Sequence, residues 1–236
     1  MRQGPGRMTA TDKQATLQEF EARFGHRFTD REGLRLALTH ASTGSDSNYE
    51  RLEFLGDRVL GLVVAHLLYN AFPGETEGLL ARRHAALVSG ATLAAVAGRI
   101  GLGEVLHISE GERASGGARN ENILADVMEA LIGAAYLDAG LPACQSIIAA
   151  LWREILHTMA EPPQDPKTAL QEWAQARALG LPAYALEGRS GPDHAPAFRV
   201  SVRIEGFEAA EAEGPSRRAA EKAAAIMLLK KIGVMP

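Results

Sequence analysis

The chain has 236 residues, of which 46% are hydrophobic and 23% charged, a globular composition that excludes collagen-like, mucin-like and wholly disordered chains. Lysine and arginine number 25 against 29 aspartates and glutamates, a formal charge of −4, which at first argues against a nucleic-acid binder because phosphate contacts need positive charge. The lone cysteine, Cys144, excludes an intramolecular disulfide and a cysteine-based zinc site and fits a reducing compartment.

The N-terminal stretch MRQGPGRMTATDK lacks the apolar run of a secretory signal. Residues 1–13 read as a disordered lead, with Met8 as an alternative start. No segment reaches the roughly 18 uninterrupted apolar residues of a membrane helix, so no membrane partner is expected, and the expected location is the cytoplasm. Over 14–159, apolar residues three and four apart predict helices at 14–24, 31–41, 48–70, 76–98, 120–139 and 142–159, separated by glycines and prolines, in one all-α domain. Residues 160–166, with three prolines, form a short linker. The remainder, 167–236, predicts a helix at 168–179, strands near 183–186, 197–204 and 207–212, and a helix capped by Ser216 and ending near Lys231. This α-β-β-β-α order describes a small α+β domain.

The informative feature is where the acids sit. Residues 123–137, ILADVMEALIGAAYL, are apolar or glycine except for Asp126 and Glu129. Those two lie about 60° apart on a helix, so they share one face. A helix apolar nearly all round is a buried one, and a buried carboxylate is costly without a partner; the run itself holds no Lys or Arg. A second group, Glu50, Glu53 and Asp57, falls within a sector of about 60°, opposite Leu52, Leu55, Val59 and Leu62. Arg51 and Arg58 fall at other angles and are expected to point away from these acids. An acidic stripe is often no more than a solvated face. If the two groups meet, however, four or more carboxylates converge, and hard divalent cations such as Mg²⁺ or Mn²⁺, which prefer oxygen ligands, resolve the repulsion. Such a site suits two-metal phosphoester hydrolysis. The seven histidines show no ligand spacing, and no Ser/His, Cys/His or phosphate-loop arrangement is present.

The segment Glu50-Arg-Leu-Glu-Phe-Leu-Gly-Asp57 resembles the signature of the ribonuclease III endonuclease domain. Leu38-Thr-His-Ala-Ser42, Phe72-Pro73, Glu77-Gly78, Gly116-Gly117 and Ile123–Gly133 agree with it, and Asp165-Pro-Lys-Thr-Ala-Leu-Gln-Glu172 opens a module resembling a double-stranded-RNA-binding domain. The resemblance spans about residues 14–233. It implies a homodimeric, Mg²⁺-dependent endonuclease, with Mn²⁺ as a substitute, that cleaves double-stranded RNA to leave 5′ phosphates, 3′ hydroxyls and a short 3′ overhang. It implies metal ligation by Glu53, Asp57, Asp126 and Glu129, with Asp57 and Glu129 the least replaceable. Glu50 and Glu77 would be further catalytic positions, and Phe54 would pack across the dimer interface, the alternative for Phe54 being ordinary core packing. Processing of ribosomal RNA precursors and structured messages also rests on resemblance. Two positions depart from the family. His84 stands where Arg is usual, so that Arg83 takes over its contact or the contact is weaker, and Asn122 stands where Ser is usual.

An A-form duplex presents its shallow minor groove, its 2′-hydroxyls and its phosphates. The first helix of the second domain offers Thr168, Gln171, Glu172 and Gln175, the loop after its first strand offers His194, and the last helix offers Ser216, Arg217, Arg218 and Lys222 at a dipole end suited to phosphates. These positions match the family's three RNA-contact regions; alone, Arg217 and Arg218 would read as an ordinary basic turn. Two competing functions are a binding protein with an inactive centre and a helical phosphohydrolase of small nucleotides. The intact acid set opposes the first, and the appended module opposes the second. Residues 1–164 carry −5 and residues 165–236 carry +1. The acidity of the chain is thus largely the six-acid site, and residues 215–236 carry +4 at one helix.

Overall fold

The computed structural model describes residues 10–159, 161–162, 164–192 and 195–234, and the chain divides into two compact units, 1–162 and 163–236. The first unit contains α1 (Ala10–Phe24), α2 (Arg31–Ala37), α3 (Glu50–Ala71), α4 (Glu77–Leu87), α5 (Gly90–Arg99), the short α6 (Leu102–Val105) and α7 (Glu110–Ala114), and α8 (Glu121–Thr158). Its core is continuous and is built from side chains such as Phe20, Phe24, Leu60, Val64, Leu93, Leu131 and the fully buried Trp152. The Trp152 indole N–H donates to the Leu87 carbonyl at 2.9 Å, so its burial leaves no polar atom unpaired.

Several boundaries depart from the sequence expectation: α1 begins at Ala10, inside the expected lead, and the helix expected over 31–41 ends at Ala37. The segment 76–98 is two helices, because Ser89 adopts extended backbone and its hydroxyl accepts from the Thr92 amide, an N-cap that starts α5 afresh. The stretches 120–139 and 142–159 meet end to end in α8, which breaks at Gly140 (φ 75°, ψ −178°), a backbone conformation that glycine tolerates and other residues resist. The short helices α6 and α7 fall below the length at which periodicity is readable. An 18-residue window of α8 is apolar enough by composition to cross a membrane, but many of the helix's apolar residues, among them Val127, Met128, Leu131, Ile132, Ile147 and Ile148, are buried within the unit's own core.

Arg83 of α4 is buried, at 1% exposure. It forks onto Glu75 at 2.8 and 2.6 Å, donates to the Met159 carbonyl at 2.6 Å and lies 3.8 Å over the Phe72 ring. It therefore ties the end of α8 to the α3–α4 turn, a structural contact. The neighbouring His84 ring reaches the Gly61 carbonyl of α3 at 2.9 Å.

The second unit is α9 (Pro166–Gln175), β1 (Ala183–Ser190), β2 (Ala197–Arg203), β3 (Ala210–Gly214) and α10 (Arg217–Lys231). The sheet is antiparallel in the order β1-β2-β3, with Tyr184 opposite Val202 and Val202 opposite Ala210. Its core joins Leu170 and Ala174 of α9, Val202 and Ala210 of the sheet, and Ala224, Leu228 and Leu229 of α10. β1 runs four residues beyond its expected end, with a register shift between Leu186 and Gly188. β3 starts later than expected because Ile204–Phe207 closes a turn in which Gly206 takes φ 83°.

The decisive contact lies between α3 and α8. A Cβ added to Gly56 would stand 1.7 Å from the Glu129 carbonyl oxygen, and one added to Gly133 would stand 2.2 Å from that of Leu52. The two backbones thus pass so closely that neither residue can carry a side chain. We expect Gly56→Ala to destabilise the first unit by about 2–3 kcal/mol through overpacking against a rigid helix. Gly98→Ala in α5, whose new Cβ would meet nothing within 4 Å, should be neutral or stabilise by about 0.5–1 kcal/mol. Thermal melts of both variants check this contrast.

Candidate active site

The glycine crossing dictates which acids meet. Gly56 sits between Glu53 and Asp57 on α3, and Gly133 lies one turn beyond Glu129 on α8, so the close approach brings the acidic faces of both helices to one place. Burial is the main force that pushes the Glu129 carboxyl up to about 7, followed by the charges of Glu53 and Asp126. Glu53 is raised by burial, then by Asp126 and Glu50. Asp126 is raised by burial, opposed by the Tyr49 hydrogen bond and by His40. Glu53, Asp126 and Glu129 therefore share one field, with Glu50 at its exposed margin.

Asp57 is placed differently. Its carboxylate is ion-paired with Arg58, contrary to the expectation that Arg58 points away. The flexible arginine stem folds back over the Phe54 ring, with the guanidinium 5.4 Å from its centroid, a reach that a helical wheel of Cα positions does not convey. The same guanidinium favours the ionised form of Glu129. Glu77 is exposed at the first position of α4, on a helix apart from the other acids. Among the described residues, no three His, Cys, Asp or Glu groups close up into a preformed metal cage.

The donor set nonetheless fits a hard dication. All its candidate ligands are carboxylate oxygens, the choice of Mg²⁺ and Mn²⁺. Three of them disfavour one another's charge, and the arriving cation would relieve that repulsion. Sequence reasoning passed over two kinds of residue here. One is the glycine pair, whose signal is a glycine inside an otherwise strong helix. The other is Tyr49, whose hydroxyl donates to Asp126 Oδ2 at 3.3 Å. Burial, with the charges of Asp126, Glu53 and Glu50, holds the phenol above its ordinary range, so at neutral pH it is a donor.

In the second unit, Thr168, Gln171, Glu172 and Gln175 are exposed on α9, opposite the buried Ala169, Leu170 and Ala174. Ser216 caps α10, its hydroxyl accepting from the Ala219 amide at 3.2 Å. Arg217 pairs with Glu221 at 3.0 Å, Lys167 reaches the same carboxylate at 2.5 Å, and Lys222 pairs with Asp165 at 2.8 Å. The Lys167–Glu221 and Lys222–Asp165 pairs lock the start of α9 to the start of α10, while Arg218 is exposed. His194 lies outside the described residues.

Two family models match: Ribonuclease-III-like over residues 30–155 and double-stranded RNA binding motif over residues 166–232. A ribonuclease 3 of Azorhizobium caulinodans is 51% identical over 220 residues, covering 91% of this chain and 94% of that protein. The ribonuclease 3 of Rhodobacter capsulatus is 50% identical over 220 residues, covering 92% and 96%. The solved nuclease domain of ribonuclease III from Campylobacter jejuni matches with TM-score 0.57 and 38% identity, covering 58% of this chain and 96% of that one. Fold and relatives together define an endoribonuclease specific for double-stranded RNA. The chain belongs to the ribonuclease III family.

The raised Glu129 carboxyl has a measurable consequence. Its ordinary value is 4.5 and its folded value about 7, so between them the folded chain binds more protons than the unfolded one. Stability is then lost as pH rises through that window and stays low above it. Without divalent cations, Glu129→Gln is expected to raise the melting temperature of the first unit at pH 8, by roughly 2–4 °C for each kcal/mol relieved. At pH 4.5 it should change little. Calorimetry at the two pH values checks this.

Proposed function

We propose that the chain cleaves both strands of double-stranded RNA with Mg²⁺ held by Glu53, Asp57, Asp126 and Glu129, with Mn²⁺ able to substitute. The observation that carries this reading is the meeting of Glu53, Asp126 and Glu129 in one partly buried field, with the Glu129 carboxyl pushed up to about 7. Without a cation this arrangement opposes both stability and phosphate binding, so it is a poor design for a binding protein. When bound, Mg²⁺ supplies activation of a water for attack and stabilisation of the charge on the leaving 3′ oxygen. Glu129 and Asp126 come to the site from a buried helix, which fixes their positions. Asp57, paired with Arg58 here, would complete the set of ligands, and the Arg58 guanidinium would then be available to phosphate. Glu50 and Glu77 would place the RNA or an outer water.

The products on this reading carry 5′ phosphates, 3′ hydroxyls and a short 3′ overhang. The substrates are ribosomal RNA precursors and structured messages in the cytoplasm. Two-strand cutting calls for two centres, and the surface supports a homodimer. Phe54 is 68% exposed, which excludes its alternative as a core residue. It helps line a groove of about 900 Å³, with Leu36, Leu52, Leu55 and Leu137 and the polar Asp46, Asn48, Glu50 and Arg51. In a two-fold pair each Phe54 enters its partner's groove. The solved Campylobacter jejuni nuclease domain is itself described with a region involved in dimer formation.

Glu129→Ala is expected to lower cleavage of a labelled duplex by more than about a hundredfold, the upper range for disturbing even an outer partner of a metal ligand. Duplex binding by the second unit should persist. Gel assays of cleavage and of binding, with and without Mg²⁺, read both; equal cutting by variant and wild type would overturn the proposal.

A further inference from the structure

Tyr49 is tied into both helices that carry the acids. Its carbonyl accepts from the amides of Leu52 and Glu53, each at 2.9 Å, and so opens the first turn of α3, and its own amide donates to Thr39 at 3.1 Å. Its side chain is 5% exposed and crosses to α8, where the hydroxyl donates to Asp126 Oδ2 at 3.3 Å. The ring is backed by His40 at 5.6 Å between centroids. The His40 Nδ1 in turn accepts from the Ser42 amide at 3.1 Å, which holds that ring in place.

A carboxylate on a two-torsion side chain turns freely unless something fixes it. One buried donor on Oδ2 sets the rotation of Asp126 and leaves its remaining lone pairs for a cation. Because the donor sits on the residue immediately before α3, the same contact sets Asp126 in register with Glu53. We propose that Tyr49 is a positioning residue that orients Asp126 for the divalent cation, and that His40 holds Tyr49 in place. This rests on the metal reading of the acid set given above.

Tyr49→Phe tests it, since the variant keeps the ring against His40 and removes only the hydroxyl; a melt without metal confirms that it folds. Mn²⁺ binding to the full chain, followed by the electron paramagnetic resonance of the free ion, is measured for wild type, Tyr49→Phe, Asp126→Asn and the double variant, together with the Mg²⁺ dependence of cleavage for wild type and Tyr49→Phe. The expected result is Mn²⁺ binding about tenfold weaker in Tyr49→Phe, the range seen for partners of metal ligands, with a matching rise in the Mg²⁺ concentration for half-maximal cleavage. Adding Tyr49→Phe to Asp126→Asn should weaken binding no further, as befits two residues acting through one contact. Unchanged Mn²⁺ affinity in Tyr49→Phe beside weakened affinity in Asp126→Asn would overturn the inference, as would a cleavage defect with metal binding intact. A wild type that binds no Mn²⁺ would overturn the metal reading itself.

Discussion

The first unit depends on one backbone crossing. Gly56 and Gly133 let α3 and α8 approach until a Cβ on either would collide with a carbonyl of the other. Packed helices usually run about 8–10 Å between axes, a distance set by the side chains at the contact, and at this crossing there are none. Removing the side chains at the crossing brings Glu53 of α3 beside Asp126 and Glu129 of α8. The core around Leu60, Val64 and Leu131 then holds the crossing in place.

The acids at that crossing oppose folding while the rest of the unit favours it. Burial raises Glu53, Asp126 and Glu129, and neighbouring carboxylates raise Glu53 and Glu129 further. Tyr49 and Arg58 relieve the repulsion in part: Tyr49 donates to Asp126, and Arg58 pairs with Asp57 while favouring the charged form of Glu129. Natural proteins break local rules at functional sites and compensate elsewhere, and here the compensation is visible. The buried Arg83–Glu75 fork, closed by Phe72 and the Met159 carbonyl, fastens the far end of the same helices.

Much of this was legible in the sequence because the violations are local. Two carboxylates in an otherwise apolar run stand out whatever the fold, and the switch from helical spacing to an α-β-β-β-α order marks the second unit. Ser216 as a helix cap is equally local, and its hydroxyl does cap α10. What was not legible depends on partners distant in sequence or on side-chain reach. Arg83 reads as a stand-in for the arginine usual at position 84, and the sequence does not show that Glu75 and Met159 enclose it. Arg58 reads as facing away until its stem folds over Phe54. Tyr49 is adjacent to the signature, but only tertiary structure brings it to Asp126, 77 residues away. The same holds in the second unit, where Asp165 and Glu221 engage Lys222, Lys167 and Arg217. The basic helix start is thus a pre-ordered surface, and part of its charge is balanced within the domain.

The central claim is that the helix crossing assembles one cation site from both helices. A crystal structure of the full chain grown with Mn²⁺, using the ion's anomalous scattering, tests it most directly. The account predicts a peak coordinated by Glu53 or Asp57 of α3 together with Asp126 or Glu129 of α8, with the Asp57 carboxylate turned away from Arg58. Mn²⁺ bound only elsewhere, or by residues of one helix alone, would contradict it.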